Sequence, residues 1–191
     1  MMLLDLEDRT GWPDELRLLI DRYPRHIWAT HANLGELARF WLEIHDSFRQ
    51  FGGKLASAAG AFREGQLGPD RFRTWFTPRV RTLLSHLEGH HRIEDAHFFP
   101  RLAAAEPRLK RGFEVLENDH DVIHAAMDRI GSAAKDYASA GVDDFDRLRS
   151  AADDFTDASD RLLRLLHRHL DDEEDLIVPL ILDRGERELG V

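Results

Sequence analysis

A chain of 191 residues, 42% hydrophobic and 32% charged, is most simply one soluble globular domain with a substantial core. Its net charge of −10, with no strongly basic stretch, argues against a nucleic-acid surface, which needs clustered Lys and Arg to neutralise phosphates. The absence of cysteine excludes disulfides and thiolate ligands, so any metal must be held by nitrogen and oxygen.

Residues 1–30 read as an N-terminal arm or short extra helix, with Trp12, Leu16, Leu19, Ile20 and Trp28 available to pack. The opening segment lacks the basic n-region and cleavage pattern of a secretory signal, and cytoplasmic location is the default expectation. The remainder, 31–191, is expected to form the main domain. Leu34, Leu37, Ala38, Trp41, Ile44, Phe48 and Phe51 recur at three- and four-residue steps, which predicts an amphipathic helix ended or loosened by Gly52-Gly53. Residues 54–78, with their glycines and prolines, read as a long connection carrying a short helix around Phe72 to Phe76. A second helix is predicted from about Arg79 to Arg101 and a third from about Pro107 through Tyr137, with Gly141 just beyond. The fourth runs from about Asp143 to Asp183, and its apolar run Leu176 to Leu182 is far too short to span a bilayer. No stretch alternates with period two. The fold class is therefore all-α, an up-down-up-down four-helix bundle with a short N-terminal extension.

Chemistry enters with a repeat. His90 stands four residues before Glu94, and 79 residues later the pair recurs as His169 and Glu173. Pro100 and Pro179 follow at matched distances, and the same shift relates His45 to His124. A spacing of four puts two side chains on one helix face, so His90/Glu94, His120/His124 and His169/Glu173 each offer two donors to one point in a bundle. The repeat breaks where His120 meets Trp41, which cannot bind metal. If two metals lie between the halves, one receives His120, His124 and His169, the other only His45 and His90, and Glu94 and Glu173 bridge them. With an oxo or hydroxo bridge added, the first metal is saturated and the second keeps an open position. Such a position would take dioxygen, nitric oxide, peroxide or azide. Imidazole-rich ligation with bridging oxygens favours iron, and a single structural zinc would leave several of these residues unexplained.

The order His, His-x-x-x-Glu, His-x-x-x-His, His-x-x-x-Glu on successive helices resembles the hemerythrin-like (HHE cation-binding) domain, over roughly residues 31–185. The phrases HHRIEDAHFFPRL and HLDDEEDLIVPLI are particularly similar to that family's second and fourth helices. The resemblance implies a centre of two non-haem iron ions, bridged by two carboxylates and an oxygen, with ligands His45, His90, Glu94, His120, His124, His169 and Glu173. It also implies binding of a small diatomic or peroxide ligand in oxygen, iron or redox handling, or alternatively a redox enzyme that decomposes hydrogen peroxide. The oxygen-carrying members have His-x-x-x-x-Asp on the fourth helix where this chain has His169-x-x-x-Glu173, so the carriers' oxygen affinity does not transfer with the motif.

Other candidates fit the pattern less well. His31 competes with His45 if the register differs, Glu174 competes with Glu173, and His86 lies one turn before His90 on its stripe. His91 and His97 flank the motif at angles that point elsewhere, and His167 faces nearly away from His169. Trp41 is expected to pack in the core at ligand height.

Overall fold

The computed structural model describes residues 4–140 and 145–191. It is all-helical, with no strand among the described residues, and its helix packing is consistent with a bundle. Short helical turns at Asp14–Leu16 and α1 (Arg25–Trp28) precede the long helix α2 (Glu36–Arg63). Helix α3 (Pro69–Ile93) opens into a π turn over Glu94–Phe98 and resumes as α4 (Phe99–Ala105). A 3-10 turn at Pro107–Leu109 leads into α5 (Lys110–Ser139), followed by α6 (Phe145–Arg184) and a last short helix, α7 (Glu186–Leu189). Gly141 and the expected start of the fourth helix at Asp143 lie outside the described residues.

The first two helices are longer than their sequence pattern predicts. Helix α2 runs through Gly52-Gly53 to Arg63, and α3 begins at Pro69, so the long connection expected over 54–78 shrinks to a short turn. A helix-interior glycine costs only about 1 kcal/mol and a proline about 3 kcal/mol. Against this, Phe72, Phe76, Val80, Leu83 and Leu87 are all buried at helical spacing, each side chain contributing about 1.5–3 kcal/mol. Gly52 also has a packing reason: a Cβ there would lie 2.5 Å from Leu163 Cδ2. The glycine admits a neighbouring side chain rather than ending the helix.

The described chain divides into two compact units. One comprises the segment up to Ser47 together with His90–Asp121 and His167–Val191. Its core is apolar and aromatic, with Trp12, Trp28, Trp41, Phe99, Phe113 and Leu180 buried in one cluster. The other comprises Phe48–Gly89 and Val122–Leu166. There Phe62 stacks on Phe72 at 4.4 Å, and Phe76, Tyr137 and Phe155 extend the ring contacts. Among the described residues no helix is long and apolar enough to cross a membrane.

Candidate metal centre

Every side chain of the centre belongs to the first unit. Helix α2 supplies His45, the end of α3 supplies His90 and His91, the π turn supplies Glu94, α5 supplies His120, and α6 supplies His169 and Glu173. They form two groups able to hold a metal ion: His91, His120 and His169 in one, and His45, His90, Glu94 and Glu173 in the other. Within each group the donor atoms lie within 4.8 Å of one another. In the three-histidine group the His91 ring stacks on His120 with centroids 3.9 Å apart, and His120 Nε2 lies 3.2 Å from His169 Nε2. In the other, His45 Nε2 lies 3.1 Å from His90 Nε2.

The two glutamates span both groups. Glu94 turns Oε1 to His90 Nε2 at 2.8 Å and Oε2 to His120 Nε2 at 3.6 Å. Glu173 places Oε1 3.5 Å from His45 Nε2 and Oε2 3.1 Å from His169 Nε2. Three of these four oxygens, both of Glu94 and Oε2 of Glu173, are buried without an aligned hydrogen-bond donor among the described residues. The imidazole nitrogens are close but lack hydrogen-bond geometry. A buried carboxylate left in that condition costs several kcal/mol unless a cation meets it. The fourth oxygen, Glu173 Oε1, accepts from Trp41 Nε1 at 2.6 Å.

Outward-facing nitrogens orient the rings. His120 Nδ1 donates to Asp95 Oδ1 at 2.8 Å, His45 Nδ1 to Glu174 Oε1 at 3.1 Å, and His169 Nδ1 lies 3.5 Å from Asp119 Oδ2. An ionised carboxylate only accepts, so the N–H sits on Nδ1 and each Nε2 is aimed inward. This carboxylate–histidine arrangement is the usual outer support of a metal ligand. The π turn contributes here, because its extra residue lets consecutive Glu94 and Asp95 serve the centre and His120 respectively.

Burial lowers the pKa of His45, His90 and His120 by disfavouring their charged forms. Burial opposes charge on His169 as well, but the close carboxylates of Asp119 and Glu173 raise it to about 10. Glu94 is raised well above the usual carboxylate range by burial and by the charge of Glu173. Glu173 is also buried, yet the surrounding histidines, His45 foremost, hold it far below that range. The donor set of imidazoles and shared carboxylates fits divalent transition metals, and a bound cation would compete with protons for these buried donors.

Of the residues expected from sequence, His45, His90, Glu94, His120, His169 and Glu173 come together in these groups, and His124 is in neither. His124 lies beyond Asp121, in the second unit, and is partly buried. His91, which the helical angle placed elsewhere, completes the three-histidine group and is fully buried. The signal for it was the doublet itself: adjacent helical residues point about 100° apart, so His90 and His91 straddle an inward seam and serve different groups. Glu174 supports His45 from outside, His31 packs edge-on against Tyr23 at 5.4 Å, and His86, His97 and His167 are exposed. Trp41 is buried as expected, and its bond to Glu173 gives the ring a second role.

Fold and site together define a helical cation-binding protein. The family model described as Hemerythrin HHE cation binding domain matches residues 36–181, and the chain belongs to that family. No curated protein and no solved structure gives a significant match.

Proposed function

We propose that this chain is a non-haem di-iron protein that binds dioxygen or a related small ligand, nitric oxide or peroxide, beside His90. The observation that carries this reading is that Glu94 and Glu173 each present one oxygen to each histidine group, the arrangement expected of carboxylates shared by two cations. Imidazole and carboxylate donors without thiolate suit iron, which supplies one-electron exchange with such a ligand. The chain's own residues do the rest. Asp95, Glu174 and Asp119 fix the rings, and Trp41 pins one oxygen of Glu173. The Trp41 and Phe98 rings, 4.9 Å apart, give the His90 side an apolar wall. The His90 side chain is 15% exposed while His45, Glu94 and Glu173 are at most 1% exposed, so a small molecule approaches from there.

The test is elemental analysis of reconstituted protein with its absorption spectrum before and after azide. About one iron for each of the two groups, with charge-transfer bands that shift on azide, is the expected result. Loading with a single ion, or a spectrum indifferent to azide, refutes it. Catalytic consumption of hydrogen peroxide that disappears in His120→Ala would move the reading to a peroxide-decomposing enzyme.

A further inference from the structure

The family match begins at residue 36, yet the segment before it approaches the metal centre at two places. Arg9 is buried between two acids: its guanidinium pairs with Asp119 through Nη2, and its Nε donates to Asp172 Oδ2 at 2.7 Å. Asp119 in turn faces His169 Nδ1. Arg25 repeats the arrangement, with Nη1 donating to Glu174 Oε2 at 2.7 Å while Glu174 Oε1 accepts from His45 Nδ1. His169 and His45 belong to different groups, so each group has one arginine–carboxylate–imidazole chain that starts in the N-terminal arm. The arm is anchored beside both chains, by Trp12 Nε1 donating to the Asp172 carbonyl at 2.8 Å and by Arg25 Nε donating to Asp175 Oδ1 at 2.8 Å.

We infer that Arg9 and Arg25 are positioning residues of the metal centre, each clamping the carboxylate that orients one imidazole of one group and so affecting how firmly that group's cation is held. The inference rests on the metal reading above. A carboxylate held only by an imidazole can swing about its own torsions; the planar guanidinium fork removes that freedom and drains part of its charge. Loss of such an outer partner typically weakens metal affinity about 10- to 100-fold.

The experiment uses the full chain loaded with ferrous iron under anaerobic conditions and follows iron release to excess chelator, alongside the melting temperature of the iron-free protein. Arg25→Gln is expected to speed release about tenfold or more with little change in melting temperature, because the Arg25 side chain is 44% exposed. Arg9→Lys, which keeps the buried charge and loses the fork, is expected to speed release similarly. Asp175→Asn loosens the same anchor without touching Glu174 and is expected to release iron at the wild-type rate. Wild-type release from both arginine variants overturns the inference, as does an Asp175→Asn effect equal to that of Arg25→Gln, which would make Arg25 an anchor alone. A wild-type chain that takes up no iron removes the metal reading itself and the inference with it.

Discussion

Alanine at His91 and alanine at His124 separate two ligand sets that differ by one imidazole. The His91 ring is fully buried, stacked on His120 at 3.9 Å, and contributes one of three nitrogens to its group. His91→Ala leaves that group with His120, His169 and the shared glutamate oxygens, while His45, His90, Glu94 and Glu173 remain intact. Iron content is therefore expected to fall by about half, since the depleted group lacks the donors to hold its ion through purification. Loss of the buried ring also costs about 2 kcal/mol of folding stability from the cavity left behind. His124→Ala touches neither group and is expected to load as the parent does. The assay is elemental analysis after reconstitution and desalting, with urea unfolding of the iron-free proteins. Full loading of His91→Ala with half loading of His124→Ala would refute the assignment of His91 to the centre.

Five further outcomes are expected. Trp41→Phe keeps most of the packing but deletes the donor to Glu173 Oε1, and urea unfolding should show a loss of about 1.5–3 kcal/mol for a bond to a buried charge. Gly53→Ala, in open space on α2, should raise the melting temperature through a gain of up to about 1 kcal/mol. The neighbouring Gly52→Ala drives a Cβ against Leu163 and should lose about 1–3 kcal/mol instead; equal effects at the two sites would refute the packing account. Iron uptake should release protons and strengthen as pH rises towards about 10, because His169 holds its proton up to that range and must yield it to the metal; titration calorimetry in buffers of different ionisation enthalpy measures this. Finally, hydrogen bonds from Arg108 lower Glu106 to about 2, below its usual 4.5, so its contribution is complete above pH 4.5 and lost as pH falls through 2. Arg108 is exposed and solvent screens the pair, so the loss is small, and Glu106→Gln should flatten the acid limb of the stability profile slightly.

The helical character was legible because apolar residues recur at three- and four-residue steps over long stretches. The extents of α2 and α3 were not, because Gly52 and Pro78 were read as breakers and both lie inside helices. Periodicity reports which face is apolar; it does not report that Leu163 needs the space a glycine leaves. At the centre, the glutamates and most of the histidines were legible from spacing, since a turn of helix aligns residues four apart. His91 was hidden by the same rule, which assigns one inward face per helix. A helix facing two neighbours can direct adjacent residues to different ones. The second tier of the site, Arg9 and Arg25 behind Asp119 and Glu174, has no local signature at all, because its members are brought together over 110 and 149 residues of chain.

The 79-residue repeat is informative mainly where it fails. Trp41 stands opposite His120, and Leu170 stands opposite His91. Both mismatches remove a potential imidazole from the same side: the group built on His120 and His91 has three histidines, whereas the group near Trp41 has two. Indole donates a hydrogen bond and has no lone pair for a metal, so Trp41 withholds a ligand and engages Glu173 Oε1, an oxygen that the poorer group would otherwise have to itself. Leu170, fully buried, offers nothing in compensation. The group with two histidines is also the one whose His90 reaches solvent. Two features, histidine count and access, thus converge on one place, and they are what supports proposing the small ligand on the His90 side rather than on the three-histidine side.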